Sequence, residues 1–223
     1  MRYVFAALMA GVTIWSYLVP DAPLFQYPEY ARIFFWHFPC PMMLLVFLLL
    51  GAYFSLRQFV RLSPKPSPET DLAEKRKWDI RAESALELGL VYGVLTMISG
   101  MLFALVQWGA LWQWDPRQTS YLIALLFYSA YFGLRMAIPD PERRAANSAA
   151  YMLAAVLPLV FLIVVFPRLV DSFHPSNTIM DGQLKGQYAY VTIAVLVLVS
   201  ILSAWLYQLR VKAGLMEMET NYA

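Results

Sequence analysis

Charged side chains are scarce in this sequence. They make up 14% of its 223 residues, whereas apolar residues make up 60% and aromatic residues 16%. A water-soluble domain of this size needs more polar residues to cover its surface. The composition therefore excludes a soluble globular protein and indicates a chain that lies within a membrane.

Cysteine is almost absent as well, because Cys40 is the only one in the chain. A single cysteine excludes an internal disulfide. Without a C-x-x-C pair, the chain lacks the motif of a thiol–disulfide enzyme and the motif through which c-type haem is attached. The sequence also shows no internal repeat and no soluble domain.

Long apolar runs separate the few polar blocks, and each run approaches the roughly 20 residues that a membrane-spanning helix needs. We predict an all-α fold, a single membrane domain over residues 1–223 with six transmembrane helices. The first run ends without a small-x-small cleavage pattern, so we interpret it as a retained helix and not as a signal peptide. The predicted spans are residues 3–19, 33–56, 86–106, 119–138, 149–166 and 186–209.

Lysine and arginine lie mainly in one set of the segments between these spans. Thirteen of the 17 lie in that set, and four lie in the other. Since positively charged flanks stay in the cytoplasm, both termini are predicted to be cytoplasmic. The segments near residues 20–32, 107–118 and 167–185 are predicted to face outward.

The longest cytoplasmic segment, residues 57–85, carries seven of these cations. We interpret it as a solvated positive-inside loop, which argues against nucleic acid as a partner; docking of a cytoplasmic protein is the alternative. The prolines of residues 63–68 predict a stiff extended linker. Residues 68–71 are predicted to begin a polar helix that leads into the third span.

Histidine is scarce too, and the two that exist fall on the same side of the predicted membrane. His37 lies at the start of the second span, and His174 lies in the last outward segment. A single histidine at a membrane surface is usually an ordinary interfacial residue. Two on one face, each with a ring nitrogen to offer, predict a shared ligand site.

Tryptophans crowd the outward segment 107–120. Trp108, Trp112 and Trp114 occupy three of seven consecutive positions, which is more than anchoring at a membrane surface needs. If the segment is helical, Trp108 and Trp112 share a face at i, i+4 spacing. That face would suit a flat aromatic ligand.

The same segment ends in a helix-start signal. Asp115 stands directly before Pro116, where its side chain is expected to cap the fourth span. Capping is at least as well supported for Asp115 as direct contact with a ligand, and both interpretations stay open.

Together these residue types match what a haem site at the outer membrane face requires. Two neutral imidazoles can occupy both axial positions of the iron, indoles can cover the macrocycle, and a guanidinium can pair with a propionate. Two histidines would leave a zinc ion under-coordinated, and no acidic cluster completes such a site. We therefore predict haem b, with His37 and His174 as axial ligands of its iron.

At these residues the sequence resembles the haem-handling proteins of cytochrome c maturation, particularly the CcmC type of the CcsA–CcmC superfamily. The tryptophan-rich (WWD) signature W-G-x-x-W-x-W-D-x-R-x-T-S is matched by Trp108, Gly109, Trp112, Trp114, Asp115, Arg117, Thr119 and Ser120. The first histidine motif, R-I-x-x-x-H-x-P, is matched by Arg32, Ile33, His37 and Pro39. The second histidine follows an apolar residue, as His174 follows Phe173. The departures are Phe103 in place of a usual tryptophan, the absence of paired tryptophans at residues 169–173, and Pro41 after Cys40.

The resemblance implies a haem-transfer scaffold more than an enzyme. Such a chain lies in the bacterial cytoplasmic membrane, with its haem site facing the periplasm, and delivers haem to a membrane-tethered haem chaperone for c-type cytochrome biogenesis. ABC transporter subunits and a small membrane subunit are the further partners that it implies. The haem-binding residues implied are His37, His174, Trp108, Trp112, Trp114, Asp115, Arg117 and Arg32.

Three other functions compete with this interpretation. A cytochrome c synthetase of the same superfamily carries additional spans and histidines. A di-haem electron-transfer subunit needs four axial ligands, and two histidines cannot supply them. A solute transporter needs a buried charge or a broken helix near mid-membrane, and the nearest candidate, Glu87, lies too close to the cytoplasmic end of its span.

Overall fold

A computed structural model describes residues 2–21, 25–60, 68–174 and 185–222 of the chain. Within these residues the fold is helical throughout and contains no strand. The α-helices are α1 (Arg2–Leu18), α2 (Ile33–His37), α3 (Pro39–Phe59), α4 (Pro68–Trp108), α5 (Pro116–Ala137), α6 (Pro141–Val160), α7 (Phe166–Leu169) and α8 (Gly186–Tyr222). A 3-10 turn covers Pro28–Tyr30, and a π-helical turn over Phe161–Val165 joins α6 to α7.

Among the residues that the structure describes, five helical stretches are long and apolar enough to cross a membrane. These candidate spans are Pro28–Phe59, Thr70–Trp108, Pro116–Ala137, Pro141–Leu169 and Gly186–Thr220. The predicted all-α, multi-pass membrane protein is thereby confirmed. The first predicted span corresponds to α1, which is apolar but only 17 residues long, so the count of six spans and the orientation of the termini stay predictions.

The second predicted span is not one continuous helix. It is divided into α2 and α3, with one residue between them. Pro39 and Pro41 have no N–H group, so the carbonyl groups of Phe35 and His37 receive no helical hydrogen bond from the residue four positions ahead. The prolines therefore explain why α2 ends at His37.

Two other helices extend beyond their predicted spans. The helix that leads into the third span is confirmed, since α4 is continuous over 41 residues. The last helix, α8, runs 37 residues and ends beyond the predicted boundary at 209. The proline linker predicted for residues 63–68 lies outside the described residues except for Pro68, where α4 begins.

The core of the bundle forms where α3 packs along α4. Gly51 permits a close approach, since a Cβ atom there would lie 2.6 Å from the side chain of Leu86. Between α4 and α8, the hydroxyl groups of Tyr92 and Ser203 lie 2.5 Å apart in a buried hydrogen bond. Close packing of small residues and interhelical hydrogen bonds are what hold helices together in lipid, where the hydrophobic effect between them is absent.

Ion pairs join the N-terminal half of α4 to its neighbours. The guanidinium group of Arg135 on α5 donates to both carboxylate oxygens of Asp79, at 2.8 and 3.1 Å, and to Glu83 at 2.9 Å. Arg210 on α8 pairs with Glu87 at 2.6 Å. The charge considered for a transporter, that of Glu87, is therefore engaged in a helix–helix contact.

Candidate functional site

His37 is held against α4 with a defined ring orientation. Its Nδ1 atom lies 2.8 Å from the hydroxyl oxygen of Ser99, and that hydroxyl donates its only hydrogen to the carbonyl group of Leu95 at 2.5 Å. In the arrangement where Ser99 donates to Leu95, its oxygen accepts from His37, which assigns the proton of the neutral ring to Nδ1. This leaves the lone pair of Nε2 available for a ligand bond.

Gly100 gives the ring of His37 its place on α4. A Cβ atom at this position would lie 3.1 Å from Cε1 of His37, which is closer than ordinary van der Waals contact. The lack of a side chain here lets the imidazole approach the helix closely.

His174 is held by contacts to its ring and to its backbone. Its ring packs edge-on against the indole of Trp108, with the ring centroids 4.7 Å apart. Its Nδ1 atom lies 3.3 Å from a carboxylate oxygen of Asp115, and its backbone N–H donates to the hydroxyl of Ser172 at 3.0 Å. The acceptor beside Nδ1 again directs Nε2 away from the protein contact.

Asp115 links two segments between helices that are far apart in the sequence. Its Oδ1 atom accepts from the backbone N–H groups of Arg117 at 2.9 Å and Gln118 at 3.4 Å, which confirms the predicted N-cap of α5. Its Oδ2 atom accepts from the hydroxyl of Ser172 and from the N–H of Phe173, both at 2.8 Å. One carboxylate therefore begins a helix and also positions the segment that carries the second histidine.

The carboxyl group of Asp115 is ionised although it is buried. Burial alone would raise the pKa of this carboxyl, but the hydrogen bonds from His174, Ser172 and the Phe173 N–H outweigh it and hold the pKa well below its ordinary value. The side chain of Asp115 has no exposed surface. Asp115 therefore acts on the site through the residues that it contacts, Ser172, Phe173 and His174.

The tryptophan segment is not helical, so the shared face predicted for Trp108 and Trp112 is wrong. Helix α4 ends at Trp108, because Gly109 adopts φ +85° and its N–H bonds the carbonyl of Leu105 at 3.0 Å. A left-handed glycine of this kind is a common helix terminator. Trp112 instead packs edge-on against Trp114, with centroids 5.7 Å apart.

Trp114 is both exposed and strained. It is 77% exposed, and its φ of +54° lies in the left-handed region, which disfavours a bulky side chain by roughly 1–2 kcal/mol. Strain of this kind persists where the surrounding structure enforces it and is concentrated at functional sites. Beside it, the buried Nε1 atom of Trp112 has no hydrogen-bond partner within the described part of the chain.

Polar residues that the sequence did not reveal hold these segments in place. The amide of Gln107 forms two hydrogen bonds with the backbone of Tyr27, at 3.0 and 3.1 Å. Gln113 bonds the carbonyl of Trp108, and Gln118 bonds that of Leu111. Ser99 and Ser172 belong to the same group, and nothing in the sequence alone distinguished these polar residues from others in the spans and in the segments between them.

The two arginines predicted to contact haem differ in their surroundings. Arg117 is partly buried, its Nε atom has no partner within the described ranges, and it interacts electrostatically with His37. Arg32 pairs with Asp21 at 2.7 Å and donates to the carbonyl groups of Val19 and Glu29. For both arginines, contact with haem stays a prediction.

The structure brings both histidines to one end of the bundle. His37 lies within electrostatic range of His174 and Arg117, and His174 touches Trp108. Among the residues that the structure describes, no group of three or more histidine, cysteine or acidic side chains could hold a bare metal ion. Two imidazoles with directed Nε2 atoms fit haem, which brings the four remaining iron ligands itself.

Comparison with known proteins gives a consistent result. The family model described as "Heme exporter protein C" matches residues 1–222. "Heme exporter protein C" of Paracoccus denitrificans is 28% identical over 140 residues, which cover 63% of this chain and 52% of that protein. The protein of the same name in Rhodobacter capsulatus is 39% identical over 66 residues, or 30% of this chain and 27% of that protein.

A second group of relatives carries a different name. "Cytochrome c biogenesis protein CcsA" of Prochlorococcus marinus is 34% identical over 96 residues, which cover 40% of this chain and 31% of that protein. The chain thus spans about half the length, or less, of the curated relatives it matches.

Proposed function

Because this chain belongs to the family of Heme exporter protein C, we propose that it binds haem at the outer face of the membrane and delivers it to a membrane-tethered haem chaperone for c-type cytochrome biogenesis. The observation that carries the proposal is the pair of anchored imidazoles. His37 and His174 are the only histidines of the chain, and each has an acceptor beside Nδ1 that leaves Nε2 free.

Each site residue has a role in this proposal. His37 and His174 ligate the iron through Nε2, and Trp108 holds the ring of His174 in place. Arg117 pairs with a propionate, since a guanidinium binds a carboxylate in bidentate geometry. Bound haem b supplies the iron centre and the vinyl groups by which it is later attached; this chain supplies position and axial ligands.

Trp112 and Trp114 form the surface proposed to meet the chaperone and the haem edge, which we call the indole platform. The support is the exposure of Trp114, its strained backbone and the Nε1 of Trp112, which has no hydrogen-bond partner among the described residues. Indoles combine a large apolar contact area with one hydrogen-bond donor.

The setting proposed for the chain is the bacterial cytoplasmic membrane, with the haem site facing the periplasm. The charge bias of the sequence supports this orientation, with 13 of 17 cations on the predicted cytoplasmic side. ABC transporter subunits and a small membrane subunit are the partners that the family suggests for the release of the loaded chaperone.

Purification of the full chain in detergent tests the proposal. We expect it to carry haem whose reduced spectrum shows the sharp bands of a low-spin iron with two nitrogen ligands. After co-expression with the candidate chaperone, covalent haem should appear on the chaperone and not on this chain. A preparation that contains no haem and takes none up would overturn the proposal, and covalent haem formed directly on an apocytochrome would favour a synthetase.

Reporter fusions test the proposed topology. Fusions at Pro66 and Arg144 are expected to report a cytoplasmic location, and fusions at Asp21 and Asp181 an external one, because cations flank the first two positions. The readout is a reporter pair active on opposite sides of the membrane. A cytoplasmic signal at Asp181 would refute the one-sided site, since His174 would then lie across the bilayer from His37.

Aromatic replacements separate ligand contact from membrane anchoring at the indole platform. The combined change Trp112→Phe and Trp114→Phe is expected to lower covalent haem on the chaperone by roughly 2- to 10-fold, because contact area and the indole N–H are both lost. Haem on the chaperone is measured per amount of this protein in the membrane. Trp205→Phe, on the exposed face of α8, is the matched control and should change nothing; full loading by the double variant would show that anchoring is the role of these tryptophans.

A further inference from the structure

The two proposed ligands differ in what holds their Nδ1 atoms. The Nδ1 of His37 meets the neutral hydroxyl of Ser99 at 2.8 Å. The Nδ1 of His174 meets the carboxylate of Asp115 at 3.3 Å and also lies 3.4 Å from the hydroxyl oxygen of Ser172. A carboxylate draws the Nδ1 proton and raises the basicity of Nε2, and it does so more strongly than a hydroxyl.

Building on the proposed function, we propose that the two histidines are unequal haem ligands. Asp115 makes His174 the strong, retained ligand, and Ser99 holds His37 as the weaker ligand, which is exchanged when the haem leaves. Ser99 and Asp115 are positioning residues, since each acts through a histidine.

The backbone contacts of His174 also support its role as the retained ligand. The hydroxyl of Ser172 accepts from the backbone N–H of His174 and itself donates to Asp115. The neighbouring N–H of Phe173 also donates to Asp115, and Trp108 packs against the imidazole. Both the backbone and the ring of His174 are therefore fixed around one buried carboxylate.

His37 is held by fewer contacts than His174. It is the last residue of α2. Because Pro39 and Pro41 have no N–H group, the carbonyls of Phe35 and His37 accept no helical hydrogen bond from them. Within the described ranges its side chain has one hydrogen-bond partner, Ser99, and Gly100 beside the ring has no side chain to add another. The imidazole can therefore turn away from a ligand with the loss of one side-chain hydrogen bond.

The inference is tested first by the two single histidine variants of the full chain. His37→Ala, which leaves the pair of His174 and Asp115, is expected to retain haem better than His174→Ala, which leaves the pair of His37 and Ser99. The readout is the haem-to-protein ratio during competition with a haem-binding apoprotein. Equal retention by the two variants, or the reverse order, would overturn the inference.

Asp115→Asn tests the link to His174. Asparagine also caps helices, so α5 should persist while the negative charge is lost. Haem affinity is expected to fall roughly 10- to 100-fold, as for other partners of metal-bound histidines, and the reduction potential of the bound haem should rise. In the His174→Ala background the same change should add nothing; an undiminished effect there would mean that Asp115 acts on the fold alone.

Ser99 provides the matched comparison. Ser99→Ala is expected to weaken haem binding by roughly 2- to 10-fold, the range of one neutral hydrogen bond, and to speed the binding of carbon monoxide to the reduced haem. Ser99→Thr keeps the hydroxyl and should restore both values. A Ser99→Ala effect as large as that of Asp115→Asn would contradict unequal ligands, while wild-type protein without haem would instead refute the proposed function itself.

Discussion

The protein that carries both His37→Ala and His174→Ala is expected to be isolated without haem and to load none onto the chaperone. No other imidazole exists in the chain, so the iron loses both proposed axial ligands at once. The haem-to-protein ratio of the purified membrane protein and covalent haem on the chaperone are the two measurements. Normal membrane insertion and an unchanged elution volume establish that the fold persists.

Cys40 provides the control for the double-histidine variant. Its thiol is buried and donates to the carbonyl of Trp36 at 3.2 Å, one turn from His37. Cys40→Ser is expected to leave the haem spectrum unchanged, since the thiol points at a backbone carbonyl. Unchanged spectra in both single histidine variants would reject two-histidine ligation. Cys40 or an external ligand would then become the candidate iron ligand.

The largest effect on stability is expected at Arg135. Its side chain is 5% exposed and holds Asp79 and Glu83 together between α4 and α5. Arg135→Ala leaves two carboxylates close together without their cation, and breaking a buried pair in this way destabilises proteins by about 3–5 kcal/mol. The midpoint of thermal unfolding in detergent should fall accordingly.

The matched control for this variant is Arg143→Ala. Arg143 is exposed on α6, and its backbone N–H, which the substitution retains, is what bonds the cap residue Asp140. Surface changes of this type stay within about 0.5 kcal/mol. If Arg135→Ala were as stable as this control, the ion pairs of Arg135 with Asp79 and Glu83 would have no structural role. Asp79→Asn combined with Glu83→Gln should recover part of the loss, because no unpaired charge then remains.

Much of the helical fold could be predicted from the sequence, because a membrane-spanning helix is a long run of apolar residues. The apolar runs located the spans, and the lead-in of α4 and the cap at Asp115 were predicted correctly. Both are local features: a proline followed by a polar helical stretch, and an aspartate directly before a proline. The pair of histidines could be predicted because there are only two.

The contacts that hold the site could not be predicted in the same way. Asp115 bonds Ser172 and Phe173 across 57 and 58 residues, and no periodicity in the sequence encodes such a pairing. Ser99 looked like an ordinary small residue of a span, because its value depends on the position of His37. The end of α4 at Trp108 lies two residues beyond the predicted boundary at 106, and the left-handed Gly109 is the local feature that ends the helix.

The 57 residues between Asp115 and Ser172 also set an order in time. A chain grows from its N-terminus at roughly 5–20 residues per second, so Ser172 leaves the ribosome roughly 3–11 s after Asp115. During that interval the carboxylate can cap α5 but has no second segment to hold. His37 and the indole platform are already in place, yet the partner imidazole does not exist. A nascent chain therefore cannot close the proposed site around a porphyrin before the segment that carries His174 has been made.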